Sequence, residues 1–139
     1  MSIQNKAITV SEVMLELNST PKTQGKTLLK ETLEIMDKHR LGIVCITRSD
    51  GSLDGVITDG DIRRMLNAVQ KPIAALMSDD TITHVVRNAL TVSPSTSLSD
   101  AIALMGQKKV WDLPVVDNDK LIGLLHLHPA IEAVIGSNS

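Results

Sequence analysis

Phenylalanine and tyrosine are absent from this 139-residue chain, and Trp111 is its one aromatic residue. Binding of single-stranded nucleic acid usually rests on aromatic platforms that stack bases, and none is to spare here. Leu, Ile, Val, Met and Ala must therefore fill the interior. Cysteine is nearly absent as well. Cys45 stands alone inside the apolar run Ile43–Ile46, so a disulfide or thiolate metal cluster within one chain is excluded and a buried, inert thiol is expected. The net charge of −2 offers no basic footprint to a duplex and no polybasic tract to an anionic membrane. No apolar run approaches the ~20 residues that span a bilayer, and Met1–Lys6 lacks the apolar stretch of a signal peptide. These absences predict a cytoplasmic protein that engages neither nucleic acid nor membrane.

What is present is an ordinary globular composition, 42% hydrophobic and 22% charged, in a chain of one-domain size. Within it lies a repeat. Thr32–Met36 and Ala101–Met105 match with their apolar positions aligned, each on a helical pattern: Leu28, Leu29, Ile35 and Met36 in the first, Leu98, Ile102 and Met105 in the second. After each helix comes a short apolar run (Leu41–Ile46, Val110–Val116), a turn (Ser49–Ser52, Asp117–Lys120) and a second strand (Leu53–Thr58, Leu121–His126). Asp50-Gly51 between two apolar runs is a strong hairpin signal. A closing helix is predicted over Asp61–Leu66 in one copy and Pro129–Ile135 in the other. The leading pieces Val10–Met14 and Ile73–Met77 also echo each other. The longer spacing in the second copy puts extra residues within Ser78–Val92, as a turn or short strand. Each copy thus reads helix–strand–strand–helix after a short extended piece, an α/β (α+β) pattern. Two such copies are expected to pack around a pseudo-twofold axis as one domain.

This plan resembles a tandem pair of cystathionine-β-synthase-type (CBS) repeats, a Bateman module. The resemblance rests on Leu53–Arg64, on Leu90–Met105, and on Leu113–Asp117 leading into Leu121–His128. It covers about Val10 to Val134, with repeats over 10–70 and 73–135 of a single pair spanning 1–139. Thr58–Arg64 and the later His126-Leu-His128 are similar to the C-terminal CBS pair of arabinose-5-phosphate isomerases of the sugar-isomerase (SIS) class. CBS pairs joined to sugar nucleotidyltransferases carry a segment like Thr58–Arg64 too. The resemblance implies a regulatory module rather than an enzyme. It implies an adenosine nucleotide or a CMP-linked sugar as ligand in the cleft between repeats, a homodimer or larger even assembly formed through the helices, and an SIS-type catalytic domain as partner. A module that only dimerises, its sites unused, is the rival reading.

The candidate ligand site centres on Thr58 and Asp61. A strand that ends at Thr58 and feeds a helix places main-chain N–H groups at a positive dipole end, where phosphate binds readily. The Thr58 hydroxyl adds a donor. In CBS pairs the aspartate matching Asp61 binds the ribose diol, which suits a carboxylate with two acceptor oxygens. Gly55 lets the backbone approach closely, Ile57 offers an apolar edge to a base, and Arg64 or Arg63 can hold phosphates. Val92, in Thr91-Val92-Ser93, is the candidate from the second copy. Thr-x-x-Asp at a helix start equally fits a capping box that needs no ligand, so both roles stand. Asp59 adds negative charge beside the site.

The second copy departs from this pattern. His126 stands where Thr58 does, and Pro129, which suits a first helical turn, stands where Asp61 does. One nucleotide site per pair is expected. His126 and His128, two apart near a strand end, suggest a shared face; contact with a ligand or partner subunit is favoured over a metal site, and an ordinary structural role over both. His39 and His84 have no evident partner. Gly25-Lys26-Thr27 looks like the tail of a phosphate-binding loop, but Thr20 stands where that loop needs glycine and Pro21 follows it, so Lys26-Thr27 reads as a helix start. No nucleophile–base or paired-carboxylate arrangement stands out as a catalytic set.

Overall fold

The computed structural model describes residues 8–68 and 70–137; the Met1–Lys6 segment considered above lies outside them. Two compact units form. One joins the described part of Met1–Ser19 to Leu90–Ser139, and the other is Thr20–Ala89.

In the Thr20–Ala89 unit, β2 (Lys22–Gln24) runs parallel to β3 (Ile43–Thr47), which pairs antiparallel with β4 (Leu53–Thr58). Two helices follow the strands, α2 (Leu29–His39) and α3 (Asp59–Ala68). The apolar spacing of α2 explains its packing: Leu29, Thr32 and Met36 are buried at steps of three and four. Leu29 and Met36 meet Val44, Ile46, Ile57, Met65 and Leu76 in one core. Full burial of a Leu or Ile side chain of this kind stabilises by roughly 1.5–3 kcal/mol. Cys45 is fully buried. The hairpin turn uses Gly51 at φ 89°, where a side chain would be strained, and Asp50 accepts the Ser52 N–H at 2.9 Å.

The other unit repeats the plan. Helix α5 (Leu98–Lys108) is capped by Ser97, whose hydroxyl accepts the Asp100 N–H at 3.1 Å. It buries Leu98, Ala101 and Met105. Strands β5 (Asp112–Asp117) and β6 (Lys120–His126) form a hairpin, and α6 (Leu127–Ser137) closes the repeat. Their two-residue loop, Asn118 and Asp119, has both φ angles positive, the left-handed pair that matches strand twist. Arg40 and Lys109 end α2 and α5 in the same left-handed conformation.

Each sheet is completed by the leading segment of the other copy. β1 (Leu15–Glu16), which follows helix α1 (Val10–Val13), lies antiparallel to β6 at Leu124 and Gly123. Val86, which follows helix α4 (Ile73–Met77), bridges Val56 of β4 in the same sense. The leads expected to be extended at Val10–Met14 and Ile73–Met77 thus begin as short helices, closed by main-chain bonds from the Met14 N–H to the Val10 carbonyl and from the Leu76 N–H to the Pro72 carbonyl. Val92 lies parallel to Val115 as β2 does to β3. Both units therefore have one order: parallel strand, two hairpin strands, antiparallel lead. The packing units thus cut across the sequence repeats.

The extra residues before Val86 hold a 3-10 turn, Thr81–His84. This stretch serves the start of α2. The Asp79 carbonyl accepts the Leu29 N–H at 2.9 Å, and Thr81 and Ile82 donate to the carbonyls of Thr27 and Gly25. The buried Thr32 and Thr81 hydroxyls lie 2.6 Å apart. Helix α2 consequently starts at Leu29, two residues later than Thr27, because the main chain of Gly25 and Thr27 is engaged sideways. The Asp79 side chain is held by Lys71 at 2.8 Å and by His84 at 2.8 Å.

Two predictions follow from this packing. A Cβ at Gly55 would lie 2.6 Å from the Val86 carbonyl oxygen and 2.3 Å from a Val85 methyl, so Gly55→Ala should destabilise by about 1–3 kcal/mol in urea unfolding. Hydrogen bonds from Lys71, then from His84, hold the Asp79 carboxyl below its ordinary pKa of 3.8. The stabilisation it contributes is complete above that value and is lost as pH falls through the depressed one. Asp79→Asn should therefore flatten the acid limb of a stability–pH profile below about pH 4 and leave its slope at neutral pH unchanged.

Candidate functional site

β4 ends at Thr58 and α3 starts at the next residue, so the strand delivers Thr58 to the helix N-terminus as its cap. The Asp61 N–H donates to the Thr58 hydroxyl oxygen at 3.1 Å, and the Thr58 N–H donates to Asp61 Oδ2 at 2.9 Å. This is the reciprocal capping box that the spacing allowed. Arg64, one turn on, folds back over Gly60 and donates to Asp61 Oδ1 at 2.7 Å. Both oxygens of Asp61 are thus engaged. The Asp61 side chain is 16% exposed and that of Arg64 64%, so the carboxylate is held beneath a guanidinium that faces solvent.

The helix start offers fewer donors than the sequence suggested. The Asp59 N–H donates to the Gly42 carbonyl at 3.0 Å and the Asp61 N–H is taken by Thr58. Arg64, rather than the bare first turn, is the cation at this end. The Asp59 carboxylate packs against Gly42, where an added Cβ would meet Oδ2 at 2.7 Å.

The remaining candidates are placed differently. Gly55 is buried on β4, and its missing side chain admits Val85 and Val86. Ile57 is fully buried in the core of its unit, so its side chain packs inward rather than presenting an edge to a base. Alternation along β4 explains this: Ile57 points to the opposite face from Thr58. Val92 belongs to the other unit and is buried in that unit's core beside Val115. The structure therefore brings Thr58, Asp61 and Arg64 together and commits Gly55, Ile57 and Val92 to packing within their own units.

At the matching place in the second copy, His126 ends β6 and its Nδ1 lies 2.8 Å from Asp112 Oδ1. Pro129 falls in the first turn of α6. His128 is on that helix and pairs with Glu132 at 2.6 Å. The two histidines thus sit on different elements with separate acidic partners, not on one strand face, because the strand ends between them. Among the described residues no three His, Cys, Asp or Glu side chains gather as a metal site. Sequence reasoning also missed the partner of His84, which is Asp79, and that of His39, whose Nδ1 lies 3.0 Å from the Ile35 carbonyl oxygen. It missed Asp54, on which Arg48 and Arg87 converge at 3.0 and 2.6 Å. Only Ile35 precedes its partner by one helical turn, the sole spacing signal among these. Among the described residues no helix is long and apolar enough to cross a membrane.

Two like α/β units, one with an intact Thr–Asp helix start and one without, define a tandem α/β repeat. The CBS domain model matches residues 8–68 and 73–133, and the chain belongs to that family as a tandem CBS pair. Among solved structures, CBSX2 in complex with AMP superimposes with a TM-score of 0.83 at 26% identity, covering 95% of this chain and 99% of that one. A structure described as CBSX2 from Arabidopsis thaliana gives 0.82 at 26% identity, covering 96% and 98%. The CBS pair of MJ0100 in complex with 5-methylthioadenosine and S-adenosyl-L-methionine, at 20% identity and a TM-score of 0.76 over 96% of this chain and all of that one, shares the fold. Among curated proteins, arabinose 5-phosphate isomerase KdsD of Salmonella typhi is 29% identical over 89% of this chain and 37% of its own length. An uncharacterised protein of Rickettsia prowazekii is 30% identical over 86% and 35%. The chain spans about a third of the length of these curated relatives.

Removal of the Thr58 hydroxyl leaves the Asp61 N–H without its acceptor. Thr58→Ala should cost about 1 kcal/mol in thermal or urea unfolding of the unliganded protein.

Proposed function

We propose that this chain is a regulatory module that senses an adenosine nucleotide at the Thr58–Asp61 helix start and controls a sugar-phosphate isomerase of the arabinose-5-phosphate type. The observation that carries this reading is the geometry of Asp61, fixed by Thr58 and covered by the exposed Arg64. A nucleotide offers both of the exchanges this site needs. Its phosphates draw the Arg64 guanidinium away, and the released Asp61 Oδ1 accepts the ribose hydroxyls. The Thr58 hydroxyl still has its own proton to donate, because it acts as acceptor toward Asp61. The likeness to a CBS pair bound to AMP supports an adenosine ligand, and the likeness to KdsD supports the choice of enzyme. Binding with different affinity to two arrangements of the parent protein would transmit roughly 1–3 kcal/mol.

A second reading has its own support. Both oxygens of Asp61 are satisfied without a ligand, and Pro129 removes the acceptor from the matching place. On that reading the pair is a structural dimerisation module.

A thermal-shift panel of AMP, ADP, ATP, S-adenosylmethionine, CMP and CMP-Kdo at millimolar concentration separates the two. A ligand at one hundred times its Kd stabilises by about 2.7 kcal/mol. An adenosine compound is expected to raise the Tm, and Asp61→Ala to abolish that increment while lowering the baseline by the cost of the cap. A response to CMP-Kdo alone would redirect the ligand assignment to a cytidine-linked sugar. No response to any of the six, with the oligomeric mass unchanged in Asp61→Ala, would establish the structural reading instead.

A further inference from the structure

Asp54, near the start of β4, draws two arginines to one carboxylate oxygen. Arg48 Nη2, from the hairpin turn, lies 3.0 Å from Asp54 Oδ1, and Arg87 Nη1, from the lead after Val86, lies 2.6 Å from the same atom. The Asp54 side chain is 13% exposed, whereas those of Arg48 and Arg87 are 52% and 57% exposed. One carboxylate balances one guanidinium, so the trio keeps an excess positive charge at the surface. Asp50, the other acid of this turn, is spent on Ser52, accepting its N–H and its hydroxyl at 2.9 and 2.6 Å. Donors remain as well as charge. Arg48 Nη1 is fixed by the Ser52 hydroxyl and the Leu53 carbonyl at 3.2 and 3.1 Å. Arg87 bonds to the described residues through Nη1 alone, which leaves the Nε and Nη2 side of its fork to water. The main chain beside it is an open edge. Val86 gives its N–H and carbonyl to Val56, at 2.9 and 3.1 Å, and the Arg87 main chain bonds to none of the described residues. Val86 is 44% exposed.

We propose that this edge docks an extended acidic segment of a protein partner, one of whose carboxylates sits between Arg48 and Arg87 opposite Asp54. Charge selects the occupant. A single added carboxylate brings the two guanidiniums and Asp54 to neutrality, whereas a phosphate dianion would leave an excess negative charge against Asp54. The open side of the Arg87 guanidinium matches a carboxylate with two parallel N–H donors. One exposed ion pair contributes little affinity by itself. Main-chain groups at a free strand edge supply the rest when the incoming segment is extended and lies along Val86 and Arg87. The inference is independent of nucleotide binding, since it uses none of Thr58, Asp61 or Arg64.

The probe is a synthetic peptide of alternating Glu and Thr, titrated to several millimolar into the isotope-labelled chain and followed by heteronuclear NMR. Its counterpart with Gln in place of Glu is the control. The expected result is a saturable shift of the Arg48 and Arg87 Nε–H signals and of the Val86 and Arg87 amides, with no such shift from the Gln peptide. Arg87→Gln, a change at an exposed side chain, should retain the circular dichroism spectrum and weaken binding by about tenfold or more. Arg48→Gln should weaken it too, and added salt should weaken it in the unaltered chain. Absence of shifts at these positions would overturn the proposal. So would equal affinity for the Gln peptide, or an affinity unaltered in both arginine variants. Acetate or inorganic phosphate producing the same shifts at the same concentration would also overturn it, by marking the arginines as a site for free anions.

Discussion

The main-chain approach at Gly55 and Gly123 is the contact on which the rest of the structure depends. At Gly55 the carbonyl of Val86 comes within 2.6 Å of where a Cβ would stand, and at Gly123 the carbonyl of Leu15 comes within 2.4 Å. These glycines let the lead of one copy pair with the hairpin of the other. Each sheet would otherwise leave the main-chain groups of β4 or β6 without partners along that edge. Neither copy is therefore a self-sufficient folding unit in sequence order. The chain must be complete from the first lead to the last helix before both cores can close.

The helix start at Thr58 is held by a closed set of local hydrogen bonds. The capping box satisfies the first-turn donor of Asp61 and orients its carboxylate. Arg64 then neutralises that carboxylate, although a cation near a helix N-terminus faces the positive end of the dipole. The pairing offsets an otherwise unfavourable placement.

The two copies keep one backbone plan and differ in chemistry. The closing-helix bond from residue 59 to 42 recurs from 127 to 111, and the left-handed ends of α2 and α5 recur at Arg40 and Lys109. Yet Thr58 and Asp61 give way to His126 and Pro129, and Gly42 gives way to Trp111. Main-chain hydrogen bonding constrains the plan, while side chains outside the cores are free to diverge. The divergence leaves the complete Thr–Asp helix start on one copy and the exposed indole on the other.

The sequence by itself determined the repeat, the helix–strand–strand–helix core of each copy, both hairpin turns, the Thr58–Asp61 pair and the loss of its counterpart at Pro129, but not the helices that open the two leads or the strand β2. The properties it determined are local or periodic, carried by the spacing of apolar residues and by turn and cap chemistry within a few positions. Tertiary structure alone decided that the leads exchange, that Ile57 and Val92 face inward, and that Asp79 rather than a local cap receives the first N–H of α2. It also decided that Asp61 is already paired on both oxygens. The exchange of leads and the Asp79 bond depend on which main-chain groups meet across dozens of residues, and no periodicity encodes a partner at that distance; the Asp61 pairing is local, but i, i+3 spacing alone does not say that Arg64 folds back to it. The same limit separates the meaning of Gly55, read as a place for a ligand to approach, from its actual neighbour, the backbone of Val86.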